Sequence, residues 1–380
     1  MKKQTVSDAT RCLQVGASLT DQYRGVTTPI FTSTAYSYLD VDEYVYPRYF
    51  NTPNLKVVER LIASLEQAEE GMVFSSGMAA TMSVLLSFLK QGDHILLQND
   101  LYGGTIDSVQ TEMAKFGISV TRCKPDVKSL NNALTPQTKV FFFESPTNPL
   151  LQLSDIGAIS DWAKSKGIMT VFDNTFGTPI CQKPHQWGVD IIIHSGTKYL
   201  GGHSDLCCGA ATGRKELIDI VRETSIHLGG NLDPQSAYLL ERSIKTLHLR
   251  VNQQSSNALD LAEWLSKQNF VDNVYYPGLP THPNHEIALK QMGKFGGMLS
   301  FELLVDPHKF TRNLQLIHPV MSLGAVESTI TSPILTSHAR VSEEDRKEMG
   351  ITPGLLRMSV GIEDVNDLKA DILEAIKKAG

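Results

Sequence analysis

The chain has 380 residues, of which 41% are hydrophobic and 20% charged; this is ordinary globular composition with length for two domains and a substantial core. A net charge of −6 argues against nucleic acid or an anionic membrane surface as the main partner. Lys2 and Lys3 precede no apolar stretch, no run approaches the roughly 18 apolar residues of a membrane span, and five cysteines, with Cys207 and Cys208 adjacent, fit a reducing cytoplasm better than a disulfide framework.

Residues 1–45 show no clear period and are read as an arm lying against a neighbouring subunit. From Asn54 the pattern becomes regular. Leu55, Val58, Leu61, Ile62 and Leu65 recur at helical spacing, with Gly71 expected as the stop. A short strand over 72–75 leads into Gly77 and a second helix ending near Gly92. Strands are then expected at 94–98, 118–123, 139–144, 168–173 and 190–194, with helices between them, for instance 105–116 and 155–166. Such alternation predicts an α/β layer with a largely parallel sheet, placed in a large domain over 46–230. Beyond it, 233–268 reads as long helix broken once, followed by strands at 274–276, 298–304 and 356–360 and a helix from Val365. Fewer strands with segregated helices predict a smaller C-terminal α+β domain over 231–380. His282 and His285 have no cysteine pair near them, so no metal site is expected.

Four segments carry chemistry. In IIIHSGTKYLGGHSD (191–205) an isoleucine-rich strand delivers Ser195, Gly196, Thr197 and Lys198 into a tight turn. Two hydroxyls flanking a glycine suit phosphate oxygens, and Lys198 is placed for a carbonyl or aldehyde. A lysine after a strand is, by itself, most often a solvated surface residue; the preceding buried run changes that balance. In VFDN (171–174) Asp173 ends an apolar strand, where helix capping, metal binding and pairing with a cationic ring nitrogen are all open. Neighbouring strand ends would set Asp173 and Lys198 on one rim of the sheet. A lysine for an imine and a carboxylate for a pyridinium nitrogen are the pair that pyridoxal phosphate (PLP) needs. SSGMAA (75–80) is a strand-to-helix junction whose Gly77 and Met78 N–H groups form an anion site, although most such junctions bind nothing. Tyr102 in NDLYGGT follows a strand end, either as a turn residue or as a ring stacked on a planar cofactor. The first strand–helix turn lacks GxGxxG, which sets a nicotinamide-dependent dehydrogenase aside.

With these motifs in order, the chain resembles the cystathionine β-lyase, γ-lyase and γ-synthase family, the Cys/Met-metabolism branch of fold-type I PLP enzymes. The likeness runs from YPRYFNTPN at Tyr46 to LLRMSVGIED ending at Asp364. It implies a fold-type I PLP-dependent transferase-like architecture, with a mostly parallel seven-stranded sheet in the large domain. It implies that Lys198 holds PLP as a Schiff base, Asp173 pairs with the ring nitrogen and Tyr102 stacks on the ring. Gly77, Met78, Ser195 and Thr197 would hold the phosphate, joined by Tyr46 and Arg48 from a neighbouring subunit; a dimer sharing its active sites, and tetramers of such dimers, follow. Arg357 in LLRMSVG would clamp the substrate carboxylate, with Ser322 in SLGAVES and Asn148 in SPTNP as helpers.

The implied activity is carbon–sulfur cleavage of an amino-acid substrate in transsulfuration, read as β-elimination of cystathionine with γ-lyase or cysteine-desulfhydrase overlap. The alternatives are the transferases cystathionine γ-synthase and O-acylhomoserine sulfhydrylase, and more remotely a non-catalytic PLP-binding protein. Gly104 stands where methionine γ-lyases usually carry Cys, so that reading falls. Met321, before SLG, matches neither the Glu nor the Tyr found there in relatives, and YPRYFNTPN departs from the commoner YSRxxNPT form.

Overall fold

The computed structural model describes residues 6–14, 25–337, 339 and 343–380. Lys2 and Lys3 and part of the expected arm, residues 1–5 and 15–24, therefore lie outside the described residues.

The large sheet is built from β1 (Glu70–Phe74), β2 (His94–Gln98), β3 (Ser119–Cys123), β4 (Thr138–Glu144), β5 (Met169–Asp173), β6 (Ile191–Ser195) and β7 (Gly209–Gly213). Its seven strands run in the order β1-β7-β6-β5-β4-β2-β3. β7 is antiparallel to both neighbours, and the remaining pairs are parallel. A parallel strand covered on both faces must be apolar along its length, and Phe141, Phe142, Phe143, Ile191, Ile192 and Ile193 are all buried. Because β1 and the parallel strands share one direction, the carboxyl ends of β1, β2, β4, β5 and β6 meet at one edge of the sheet, where ligands bind in open α/β folds.

Helices pack on both faces. Pro53–Glu66 begins with Pro in its first turn and buries Leu55, Val58, Leu61, Ile62 and Leu65. Gly71 does not stop it: the chain turns at Gln67, in the left-handed region with φ 60, and Gly71 lies inside β1. Gly77–Phe88 is capped by the Ser76 hydroxyl, which accepts from the Ala79 N–H, and Ile156–Lys166 by Asp155, which accepts from the Ala158 N–H. A short helix, Asp8–Gln14, occupies part of the stretch read as irregular. Cys12 is buried in the large core, so packing rather than sequence period selects this helix. The helix expected over 105–116 contains a wider π turn at Val109–Met113.

The smaller domain carries β8 (Val271–Tyr275), β9 (Met298–Leu303), β10 (His318–Pro319), β11 (Thr329–Thr331) and β12 (Leu355–Ser359) in the order β10-β11-β12-β9-β8. The break expected within 233–268 falls between Pro234–Ile244 and Leu247–Leu265. The second of these helices joins the two cores. Leu247 and Val251 pack with the large sheet, while Ala258, Leu261 and Leu265 pack with β9, β12 and helix Val365–Ala379. That continuity holds β12, and Arg357 upon it, against the edge of the large sheet.

Candidate active site

A cleft of about 1850 Å³ opens at the carboxyl edge of the large sheet. Its wall includes Gly77, Met78, Tyr102, Asn148, Asp173, Ser195, Thr197, Lys198, Ser322 and Arg357, which lie far apart in the sequence. Tyr46 and Arg48 are not brought to it. Tyr46 precedes the turn Pro47–Tyr49 and is exposed; Arg48 lies within the turn, partly exposed, and donates to the Ile226 carbonyl at 3.0 Å.

Lys198 lies in the turn after β6, where its own N–H reaches the Ser195 carbonyl at 3.1 Å. Its Nζ stands 3.4 Å from the Ser322 hydroxyl, so Ser322 meets the lysine as well as the cleft. Burial, and then the nearby Arg357 guanidinium, hold the ammonium below the ordinary lysine range. A lysine so placed yields its proton more readily and becomes a nucleophile or base.

Asp173 closes β5, and its Oδ1 accepts the Thr175 N–H at 2.9 Å. Burial raises its pKa, against the lowering effect of the Thr175 bonds. A cation at its free edge would restore the charged form, so this carboxylate suits a protonated ring nitrogen. Glu144, its ladder partner at the end of β4, went unnoticed in the sequence. It is 7% exposed, and burial followed by the charge of Asp173 raises its pKa well above the usual carboxylate range. The pattern that drew attention to Asp173, an apolar strand closed by a carboxylate, occurs again in KVFFFE and would have found it.

Arg357 projects from β12 and is 4% exposed. Its Nη1 donates to Asn148 Oδ1 at 2.8 Å, while its Nε is buried with no hydrogen-bond partner. Among the described residues no carboxylate forms an ion pair with it, and burial lowers its pKa to about 10. A buried guanidinium with an unused donor is a receptor for an anion, and its fork fits a carboxylate.

The phosphate-side residues also converge. A Cβ at Gly77 would stand 2.9 Å from Ser195 Cβ, so only glycine lets the start of helix Gly77–Phe88 approach the end of β6. Both the helix N-terminus and the Ser195 side chain then face one volume, an arrangement suited to an anion. Thr197 is partly committed elsewhere, since its hydroxyl donates to the Cys208 carbonyl at 3.2 Å and accepts the Cys208 N–H at 3.0 Å. Tyr102 is half exposed, with its ring against Gly104, where a Cβ would lie 2.5 Å from the ring. Lysine, carboxylate, anion cradle and aromatic ring on one cleft fit PLP; Met321, 72% exposed, and Cys207 complete part of the wall.

Residues 9–377 match the sequence profile of the family described as Cys/Met metabolism PLP-dependent enzyme. The chain is 43% identical over 371 residues to a cystathionine beta-lyase of Lactococcus lactis subsp. cremoris, covering 96% of this chain and 97% of that protein. It is 41% identical over 367 residues to cystathionine gamma-synthase 1, chloroplastic, of Nicotiana tabacum, covering 92% of this chain and 68% of that one. Among solved structures, cystathionine gamma-lyase from Lactobacillus plantarum complexed with L-serine superposes with a TM-score of 0.95 at 36% identity, over 98% of this chain and 99% of that chain.

Proposed function

Because the chain belongs to the Cys/Met-metabolism PLP-dependent enzymes, a family whose cofactor is PLP, we propose that it cleaves L-cystathionine by β-elimination to homocysteine, pyruvate and ammonia. The observation that carries this reading is the convergence of Lys198, Asp173 and Arg357 on one cleft.

When bound, PLP supplies a conjugated, electron-accepting ring that makes the substrate Cα–H acidic. The chain's residues do the rest. Arg357, steadied by Asn148, grips the α-carboxylate through two parallel donors. Asp173 would accept the ring N–H and keep the ring cationic, and Tyr102 would stack against it. Gly77, Met78 and Ser195 would hold the phosphate, with Thr197 held beside them by Cys208. Lys198, as the free amine, would take the Cα proton and return it to the departing sulfur, with Ser322 at 3.4 Å orienting its amine. The sulfur leaves as homocysteine, and hydrolysis of the remaining three-carbon fragment gives pyruvate and ammonia.

Tyr46 and Arg48 complete the phosphate site of a second copy in a dimer, which pairs further into a tetramer. The supporting observation is a group of exposed large side chains ahead of them, Tyr38 at 72%, Leu39 at 62% and Tyr44 at 66%, interleaved with Asp40, Asp42 and Glu43. A cytoplasmic setting accords with five cysteines that are all unpaired. No helix among the described residues is long and apolar enough to cross a membrane.

Product analysis with L-cystathionine tests the reading. Pyruvate with homocysteine is expected; 2-oxobutyrate with cysteine would replace it with γ-elimination. Cystathionine formed from cysteine and an acylated homoserine, with no cleavage, would replace it with the synthase activity of the tobacco relative's name.

A further inference from the structure

Glu144 ties together groups that the proposed chemistry uses separately. It ends β4 beside Asp173, and its own N–H donates to Gln98 Oε1 at 3.1 Å, a side chain that is 1% exposed at the end of β2. Its two oxygens are divided between two other segments. Oε2 accepts the backbone N–H of Tyr102 at 3.1 Å, and Oε1 accepts the backbone N–H of Asn148 at 3.2 Å. Tyr102 begins the helix Gly103–Ser108, while Asn148 holds Arg357 Nη1 at 2.8 Å. One buried carboxylate thus fixes the backbone beneath the aromatic ring and the backbone beneath the carboxylate receptor, with the ring-nitrogen partner adjacent in the sheet.

We infer that Glu144 is a positioning residue, whose two oxygens set the Tyr102 ring over the cofactor and the Asn148–Arg357 pair against the substrate carboxylate. It touches neither ligand in this role; it acts through Tyr102 and Asn148. The chemistry demands a carboxylate: both partners are N–H donors, so both oxygens must accept. A carboxamide offers one accepting oxygen and one donating nitrogen, and therefore leaves one of the two segments facing an N–H it cannot satisfy. The inference rests on the cofactor and substrate reading above.

The test is a pair of double-mutant cycles on the holoenzyme, followed by thermal unfolding as a check on folding. Glu144→Gln is expected to raise KM for L-cystathionine and the PLP dissociation constant, read from Schiff-base absorbance on titration. Each change should be at least about tenfold, the size of one lost buried hydrogen bond. With Asn148→Ala the KM effects should not multiply, and with Tyr102→Ala the PLP effects should not multiply, because each pair acts along one path. Effects that multiply in either cycle, or an unchanged PLP constant, overturn the inference; a merely structural role would lower the unfolding midpoint without such coupling. Should Glu144→Gln fail to fold, Glu144→Asp keeps the carboxyl group, shortens the reach and carries the same cycles. A wild-type enzyme that binds PLP yet leaves L-cystathionine intact would instead sink the substrate reading, and the PLP cycle would still judge Glu144.

Discussion

Two arginines matched to anionic groups sit in opposite settings. Arg357 is 4% exposed on β12, held by Asn148 and surrounded by the carboxyl ends of the large sheet. Arg48 lies on the surface in the turn Pro47–Tyr49, its guanidinium 5.9 Å from the Tyr46 ring and 5.7 Å from the Tyr49 ring, outside the cleft. Strand register fixes the first within one chain. Only a local turn and one backbone carbonyl fix the second. On the proposed dimer, the contrast divides the site into a part complete in one chain and a part that a second copy supplies.

The sharpest break would come within the complete part. Lys198→Ala should lower turnover at least about 10³-fold, as expected when one group serves as nucleophile and base. Pyruvate release and borohydride trapping of the cofactor check it; trapping that survives the substitution would move the imine to another lysine. Arg357→Lys comes next. Exchanging a planar fork for a point charge should raise KM about 10–100-fold while kcat falls less. Unchanged kinetics would remove Arg357 from the carboxylate site.

The incomplete part is probed by mixing subunits. If Arg48 serves the neighbour, Lys198→Ala and Arg48→Ala proteins fail separately, but each mixed dimer regains one intact site. Random reassociation should then restore about one quarter of wild-type activity, since half the dimers are mixed and half their sites are intact. No recovery on mixing, with mixed dimers verified by mass, would place Arg48 in its own chain's function.

What the sequence made legible follows the same division. Apolar runs closed by a polar residue exposed β4, β5 and β6, and with them the edge that gathers Asp173, Lys198 and Tyr102. β7 escaped because GAATG has no β-branched or aromatic residue before Thr212; it is held as a strand by pairing with β1 and β6. β10 and β11 span 2 and 3 residues, too short for any period. Glu144 was missed for a different reason: its work is to accept backbone N–H groups from loops at Tyr102 and Asn148, and that convergence exists only after folding. Arg357 and Asn148 are 209 positions apart, so their contact could be inferred by resemblance but not by spacing.

The smallest effect separates the two causes that depress the Lys198 pKa, against the opposing charge of Cys207. In cofactor-depleted protein, the rate at which Lys198 captures pyridoxal phosphate follows the unprotonated amine, so it rises with pH through the lysine's pKa. Burial is the larger cause of its depression and the positive charge of Arg357 the smaller. A cation nearby disfavours the ammonium; replacing Arg357 with Met removes the charge but keeps the bulk, and must therefore raise the pKa. The capture profile should move toward higher pH, yet stop short of the ordinary lysine value because burial persists. A profile that does not move would show that Arg357 acts on the substrate alone. One that moves the whole way would make charge, rather than burial within the complete part of the site, the reason Lys198 is reactive.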